Sequence, residues 1–152
     1  MKNKLKWIVA VLVIGFGLLQ LANPARTNPP ATRNFTNAPP EIAAMLKTSC
    51  FDCHSDETRW PWYSHIAPIS WLVVGDVNEG RKHINFSEWP YDDIERTAKR
   101  LEDMSEQIQW GDMPMKKYTL IHVDARLSAA QRKQLADWLD GEAARLKALP
   151  QK

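Results

Sequence analysis

The sequence predicts an all-α protein in which an apolar N-terminal helix precedes a small helical domain. Apolar residues recur at helical spacing in four stretches after residue 40. No stretch shows the alternation of period two that a half-buried strand requires. Ser128 and Gln131 have the spacing of a helix capping box. A chain of 152 residues has room for one such domain and a leading segment.

The first 22 residues have the composition of a membrane-targeting segment. Three lysines come first: Lys2, Lys4 and Lys6. An apolar run of 16 residues follows, from Trp7 to Ala22, and only Gln20 interrupts it. A helix of that length spans about 24 Å, and lysines that snorkel toward the headgroups reduce the shortfall against a hydrocarbon core of about 30 Å. The lysines predict a cytoplasmic N-terminus, with the rest of the chain on the outer side of the membrane.

Two interpretations of this segment are open, a retained anchor and a cleaved signal peptide. Signal cleavage requires two small residues separated by one position. Ala22 and Ala25 stand one residue too far apart, and Pro24 lies between them where it would hinder cleavage. We therefore favour a single uncleaved anchor, residues 1–22.

Residues 23–40 are predicted to be a linker. Prolines recur through it, at Asn23-Pro24, Asn28-Pro29-Pro30 and Ala38-Pro39-Pro40. Because proline lacks the backbone donor and fixes φ, neither a helix nor a central strand suits this stretch. We expect an extended, semi-rigid spacer that holds the folded domain, residues 41–148, away from the membrane surface.

The domain begins with two predicted helices. The first is short and amphipathic and carries a pair of cysteines at its end. Its apolar side comprises Ile42, Met45, Leu46, Cys50 and Cys53. The second follows Pro68, which suits the first position of a helix, and runs to about Ile84. Its inward stripe is predicted to comprise Ile69, Leu72, Val73 and Val77.

Two longer helices complete the predicted domain. One follows Pro90 and ends at Trp110-Gly111-Asp112-Met113-Pro114. Its inward residues are predicted to be Ile94, Leu101, Met104 and Ile108. The last begins at Ser128, whose hydroxyl can cap it. Its buried side is predicted to comprise Leu135, Trp138, Leu139 and Leu146.

The segment Cys50-Phe51-Asp52-Cys53-His54 has the Cys-x-x-Cys-His spacing at which c-type haem is attached. Two thiols three positions apart lie on one side of a helical turn, so both can add to the vinyl groups of one porphyrin. The adjacent His54 then reaches the iron as its proximal ligand. We therefore predict one haem c, with its iron, per chain, held by Cys50, Cys53 and His54.

Three other interpretations of the cysteine pair stay open. A redox dithiol is expected near a strand–helix–strand pattern, which this sequence lacks. A structural zinc site uses four ligands, usually in two pairs. The chain has no further cysteine, and its other histidines, His65, His83 and His122, form no close pair. A plain disulfide would suit a location outside the cytoplasm.

Composition excludes one class of partner. The formal net charge of the whole chain is +2, and Lys2, Lys4 and Lys6 contribute +3 of it, so the rest carries 2 − 3 = −1. The rest of the chain is therefore close to neutral and has no basic patch for nucleic acid. Seven tryptophans and five methionines supply large or polarizable surfaces that a macrocycle, or an ordinary aromatic core, would use.

Longer segments of the chain resemble the small haem-binding domain family of membrane-anchored bacterial c-type proteins. The similar segments are Cys50 to Ser55, Thr58 to Ser64, Ala67-Pro68, Ser70-Trp71, Asn85 to Trp89, Gly111 to Pro114, Tyr118, His122, Ala125 to Ser128, and linker residues 27–30. They extend over about residues 39–138. The resemblance implies a small, cytochrome-c-like monohaem domain, held at the membrane and exposed to the periplasm. His65 departs from the family pattern, in which a polar residue such as asparagine is usual.

Met113 is the predicted ligand on the second face of the iron. Its Met-Pro step after a glycine resembles the distal loop of cytochromes c. Met115 and His122 are the competing ligands, and an open sixth site is the remaining alternative. A methionine opposite a histidine raises the reduction potential and favours the ferrous state, as suits an electron carrier.

We therefore expect a non-enzymatic protein that passes single electrons between redox partner proteins at the periplasmic face of the bacterial inner membrane. A haem-based redox or gas sensor and a haem peroxidase are the alternatives. A peroxidase requires a distal base and a charged helper, for which His122 and Arg126 are the candidates.

Several residues after the motif are candidates for contact with the macrocycle. The aromatic ones are Trp60, Trp62, Tyr63 and Trp71. They are expected to wall the ring or to donate a hydrogen bond to a propionate. Arg59 and Arg81 are candidates for pairing with a propionate, because a buried carboxylate needs a partner.

Overall fold

The computed structural model describes residues 2–35, 38–90 and 92–149, and within these ranges the protein is all-α. Seven α-helices, α1 to α7, and three short 3₁₀ turns make up its secondary structure, and no strand occurs among the described residues. The helices are Lys2–Leu19, Pro40–Ser49, Phe51–His54, Ile69–His83, Ile94–Trp110, Lys116–Ile121 and Ala129–Lys147. The turns are Gln20–Ala22, Trp62–His65 and Val123–Ala125. The predicted fold class is confirmed.

Helix α1 is the apolar N-terminal segment and buries none of its residues. The span Lys2–Ala22 is long and apolar enough to cross a membrane, since its most apolar 18 residues have a mean hydropathy of 2.1. No other helix in the described ranges passes that test. A signal sequence near an N-terminus passes it as well, so the helix has the length and composition of either an anchor or a signal.

The stretch that follows α1 is extended but does not stand free of the domain. The N–H groups of Thr32 and Arg33 donate to the carbonyl of Ser87, each at 3.0 Å. Trp89 N–H donates to the carbonyl of Arg33 at 2.9 Å, and the ring of Phe35 lies 4.6 Å from that of Trp89. The expected free spacer is therefore packed against the domain. Linker residues 36 and 37 lie outside the described residues.

Helices α5 and α7 form the main helix pair of the domain. Asp93 caps α5 by accepting from Arg96 N–H at 2.8 Å, and Gly111, with φ of 79°, ends it in the left-handed region. The predicted capping box of Ser128 and Gln131 begins α7. The pair buries Leu101, Met104, Ile108, Leu135 and Leu139 as predicted, with Trp138 and Leu146 partly buried against them.

Helix α4 buries only part of the stripe that was predicted to point inward: Val77 is buried as predicted and Val73 is half-buried. Its buried residues are Ser70, Val74 and Val77, at the i, i+4, i+7 spacing of one helical face. Ile69 and Leu72, predicted to point inward, are 46% and 68% exposed. The apolar run at the start of α4 surrounds the helix, so the sequence pattern alone could not select a face.

Candidate functional site

The Cys-x-x-Cys-His segment folds as one tight turn between two helices. Helix α2 ends at Ser49, and Cys50 leaves helical geometry with φ of −124° before α3 begins at Phe51. The Cys50 carbonyl accepts from Cys53 N–H at 3.2 Å and from His54 N–H at 3.0 Å. The single helix predicted for this region is therefore two helices with a break at Cys50. Both thiols are free and lie within one helical turn.

The ring of His54 is oriented by backbone carbonyls of the α4 region. Its Nδ1 lies 2.9 Å from the Gly80 carbonyl oxygen and 3.2 Å from that of Ile84. Nδ1–H therefore donates, and Nε2 is the nitrogen left for a metal. Burial lowers the pKa of His54, although the two carbonyls oppose this. The neutral imidazole is the form that ligates metals, and a ligating histidine commonly donates its other N–H to a carbonyl in this way.

Gly80 allows α4 to approach the motif turn closely. A Cβ atom at position 80 would lie 2.6 Å from the carbonyl oxygen of Cys53. Backbone cannot move aside as the end of a flexible side chain can, so only glycine fits here without displacement. Sequence reasoning did not select Gly80, although a glycine within a helical stretch was the available signal.

Burial sets the acidity of the two thiols. It raises the pKa of Cys50 to about 12, with Cys53 adding to the effect. It raises the pKa of Cys53 to about 11, with Asp76 and Asp52 adding to the effect. A catalytic dithiol requires a lowered pKa in its attacking cysteine. These surroundings have the opposite effect and do not favour the redox dithiol interpretation.

Asp52, between the two cysteines, joins the motif to two later segments. Its carboxylate accepts from Arg59 N–H at 3.0 Å, Nε at 3.2 Å and Nη2 at 3.0 Å, and from the Tyr118 hydroxyl at 2.7 Å. Burial by itself would raise the pKa of Asp52, but these donors outweigh it and the pKa is lowered. Helix α6, which carries Tyr118, is thereby fastened to the motif turn.

We predict that Asp52→Ala lowers the free energy of unfolding by about 2 kcal/mol, because the hydrogen bonds that the buried carboxylate accepts from Arg59 and Tyr118 are lost. Tyr118→Phe removes one hydrogen bond and should lower the free energy of unfolding by about 1 kcal/mol.

The contribution of Asp52 to stability should depend on pH. Because the folded-state pKa of Asp52 lies below the unfolded value, this contribution is present above the unfolded pKa and is lost as the pH falls through the folded pKa. Urea titrations of both variants at neutral and acidic pH measure this. Equal stability of Asp52→Ala and the parent at neutral pH would contradict it.

His122 is held between two tyrosines. Its Nε2 lies 2.7 Å from the Tyr63 hydroxyl, and its ring stacks on Tyr118 with centroids 4.3 Å apart. Arg126 donates instead to the Thr119 carbonyl at 2.8 Å. His122 and Arg126, the candidate base and charged helper of a peroxidase, are therefore hydrogen-bonded to different groups. The bond to Tyr63 also occupies Nε2, one of the two His122 nitrogens that could bind iron.

Met113 lies in the turn between α5 and α6 and is partly buried. Its N–H donates to the Gln107 carbonyl at 3.2 Å, and its carbonyl accepts from Arg132 at 2.9 Å. Helices α5 and α7 thus position Met113, whereas α2, α3 and α4 position the motif. Met115, the competing thioether, is the residue that precedes α6. The choice of sixth ligand stays a prediction.

The aromatic candidates differ in what they contact. Trp62 is 76% exposed, and Trp71 donates to the Ala22 carbonyl at 2.9 Å. Trp60 has a buried indole Nε1 with no hydrogen-bond partner among the described residues. Buried donors are normally paired. The indole N–H of Trp60 is therefore suited to donate to an acceptor on a bound group, such as a carboxylate.

The two arginine candidates also differ. Arg81 is committed to protein acceptors, donating to Ser55, Thr27, Asn28 and Thr58. Its Nε lies 3.4 Å from the buried Asp56 carboxylate. Arg59 pairs with Asp52 but its side chain is 64% exposed. Of the two, Arg59 is the one with donors available to a propionate.

The residues of the motif fit a haem. Two free thiols lie on one turn, an oriented imidazole presents Nε2, and a buried indole donor lacks a partner. No group of three or more His, Cys, Asp or Glu side chains able to hold a metal ion occurs in the ranges that the structure describes. The zinc interpretation has no support there. An all-α domain that presents two thiols, an imidazole nitrogen and an indole donor in this way is typical of a small haem protein.

Comparison with protein families also indicates a haem-binding domain. Residues 10–141 match the model of the haem-binding domain family. The chain belongs to this family, and haem is therefore its cofactor. The match includes the second half of α1 and the extended stretch after it, both of which precede the predicted domain boundary at residue 41. No curated protein and no solved structure matches the chain significantly.

Proposed function

We propose that this protein carries one covalently attached haem c and passes single electrons between redox partner proteins at the periplasmic face of the bacterial inner membrane. The observation that carries the proposal is the orientation of His54. Its Nδ1 is bonded to Gly80 and Ile84, so its Nε2 is directed to a ligand role beside two free thiols. A bound haem iron would supply the one-electron change between ferric and ferrous states.

Each residue of the site has a separate role in this proposal. Cys50 and Cys53 would form the two thioether bonds, and His54 would ligate the iron through Nε2. The Gly80 carbonyl holds the imidazole in one tautomer and one orientation, which increases its basicity as a ligand. Met113 would supply the second ligand to the iron, and its thioether would raise the potential into the range of an electron carrier.

The location is proposed from α1. Its length and hydropathy support a retained single-pass anchor. The lysines at its start favour a cytoplasmic N-terminus, and the haem domain would then lie in the periplasm.

The test is an absorption spectrum of the full-length protein, purified from a host with the haem-attachment machinery, in both oxidation states. We expect a six-coordinate low-spin spectrum that does not change when carbon monoxide is added to the reduced protein. Immediate carbon monoxide binding would contradict electron transfer through a closed site and favour a gas sensor or a peroxidase. A colourless product would exclude the cofactor itself.

Met113→Ala is predicted to keep the haem and lose the sulfur-to-iron charge-transfer band of the oxidised protein. Loss of the thioether should also lower the reduction potential, because methionine ligation raises it. Met115→Ala is the matched control, two residues further along, and should keep the band. A band that survives in Met113→Ala and disappears in Met115→Ala would transfer the ligand role to Met115.

A further inference from the structure

The end of the apolar N-terminal helix is fastened to the haem domain. The Gln20 amide oxygen accepts from Ala67 N–H at 2.9 Å, and its amide nitrogen donates to the Ala67 carbonyl at 3.2 Å. Ala67 is fully buried. One side chain at the end of the membrane segment thus makes a reciprocal pair of bonds with the backbone just before α4.

Two further contacts join the same segments. Asn23 accepts from the buried Ser70 hydroxyl, and its own amide donates to the Gln20 carbonyl at 2.9 Å. Trp71 donates to the Ala22 carbonyl at 2.9 Å. Residues 20–23 and the start of α4 are therefore held side by side. The domain is attached directly at the end of the apolar helix, without the free spacer expected from the sequence.

The exposed face of the first turn of α4 is apolar. Leu72 is 68% exposed, Ile69 is 46% exposed, and Trp71, beside them, is 41% exposed. Asp76 and Glu79 follow at i+7 from Ile69 and Leu72, on the same side of the helix and about 10 Å further along it. This side changes from apolar to charged with distance from the anchor, as a surface that enters the lipid–water interface does.

We propose that the first turn of α4 rests in the interfacial layer of the lipid bilayer, so that the haem domain lies directly on the membrane surface. The inference rests on the proposed retention of α1 as an anchor. We choose lipid as the partner of this apolar face because the face lies beside the point at which α1 would reach the headgroups. Tryptophan is also enriched at that depth.

The docking would fix the height of the haem site. Gly80, whose carbonyl orients His54, lies ten residues after Ser70, which corresponds to about 15 Å along α4. The motif would therefore stand at a set distance above the headgroups, within reach of a partner that is itself embedded in the membrane.

The experiment measures the alkylation rate of single introduced cysteines in the full-length holoprotein, in which Cys50 and Cys53 are consumed as thioethers. Leu72→Cys and its matched control Glu79→Cys lie on one side of α4. Each is placed in phosphatidylethanolamine–phosphatidylglycerol nanodiscs at one chain per disc and treated with a charged, membrane-impermeant maleimide. Because the reactive thiolate is disfavoured in apolar surroundings, Leu72→Cys should react about tenfold more slowly than Glu79→Cys.

A second variant tests the attachment at Gln20. Gln20→Ala in the Leu72→Cys background should raise the rate toward that of Glu79→Cys, because the domain is no longer held against the lipid. Equal rates for Leu72→Cys and Glu79→Cys in discs that contain the protein would overturn the docking and leave the anchor in place. A chain that does not co-elute with the discs would overturn both. Protection only at two chains per disc would overturn the docking in favour of a second copy.

Discussion

Gly80→Ala is expected to destabilise the protein by about 2 kcal/mol and to disturb the ligand histidine. The added methyl group would lie 2.6 Å from the Cys53 carbonyl oxygen, and overpacking against backbone outweighs the roughly 1 kcal/mol by which alanine favours a helix over glycine. Helix α4 must move away from the motif turn. Because the Gly80 carbonyl is 2.9 Å from His54 Nδ1, that movement also loosens the imidazole. Denaturant unfolding and the haem spectrum measure the two effects.

Gly75→Ala is the matched control on the same helix. A Cβ atom at position 75 meets nothing within 4 Å. This variant should therefore gain about 1 kcal/mol from helix propensity alone and leave the spectrum unchanged. If both variants were equally stabilised, α4 would not approach the motif as closely as described, and the orientation of His54 would need another cause.

Cys53→Ala is expected to have the largest effect on the cofactor. It leaves at most one thioether, so the yield of holoprotein should fall sharply and any remaining haemochrome spectrum should shift toward that of a singly attached haem. Cys50→Ala should behave similarly, because the two thiols share one turn. The variant that lacks both cysteines should carry no haem that survives denaturation.

Intact-mass spectrometry and haem staining of denatured protein measure the attachment in these variants. Loss of haem from the double variant alone, with both single variants at the parent yield, would show that one thiol suffices. Unchanged covalent haem in the double variant would show that the motif is not the attachment site.

Local chemistry made some elements predictable from the sequence. The capping box of Ser128 and Gln131 and the stop at Gly111 depend on residues within one or two turns, and both occur as predicted. The family resemblance is likewise confirmed by the match over residues 10–141. The two helix signals are encoded by neighbouring residues, and the family resemblance by short segments that are each readable in the sequence.

The parts that were not predicted depend on residues far apart in the chain. The His54–Gly80 bond spans 26 positions, the Asp52–Tyr118 bond 66, and the Gln20–Ala67 pair 47. The prolines that mark residues 23–40 explain an extended backbone but not its packing against Phe86 and Trp89. For the same reason the pattern in α4 could not select the face that approaches the motif, since that choice depends on Gly80.

Acid–acetone extraction of the full-length protein, purified from a host with the haem-attachment machinery, shows whether haem is joined to the two sulfur atoms of the motif turn. We predict that the red colour stays with the precipitated polypeptide, and that its alkaline pyridine spectrum is that of a doubly attached haem at one per chain. Colour that passes completely into the solvent would show that the haem is held without covalent bonds, and Cys50 and Cys53 would then have no part in binding it.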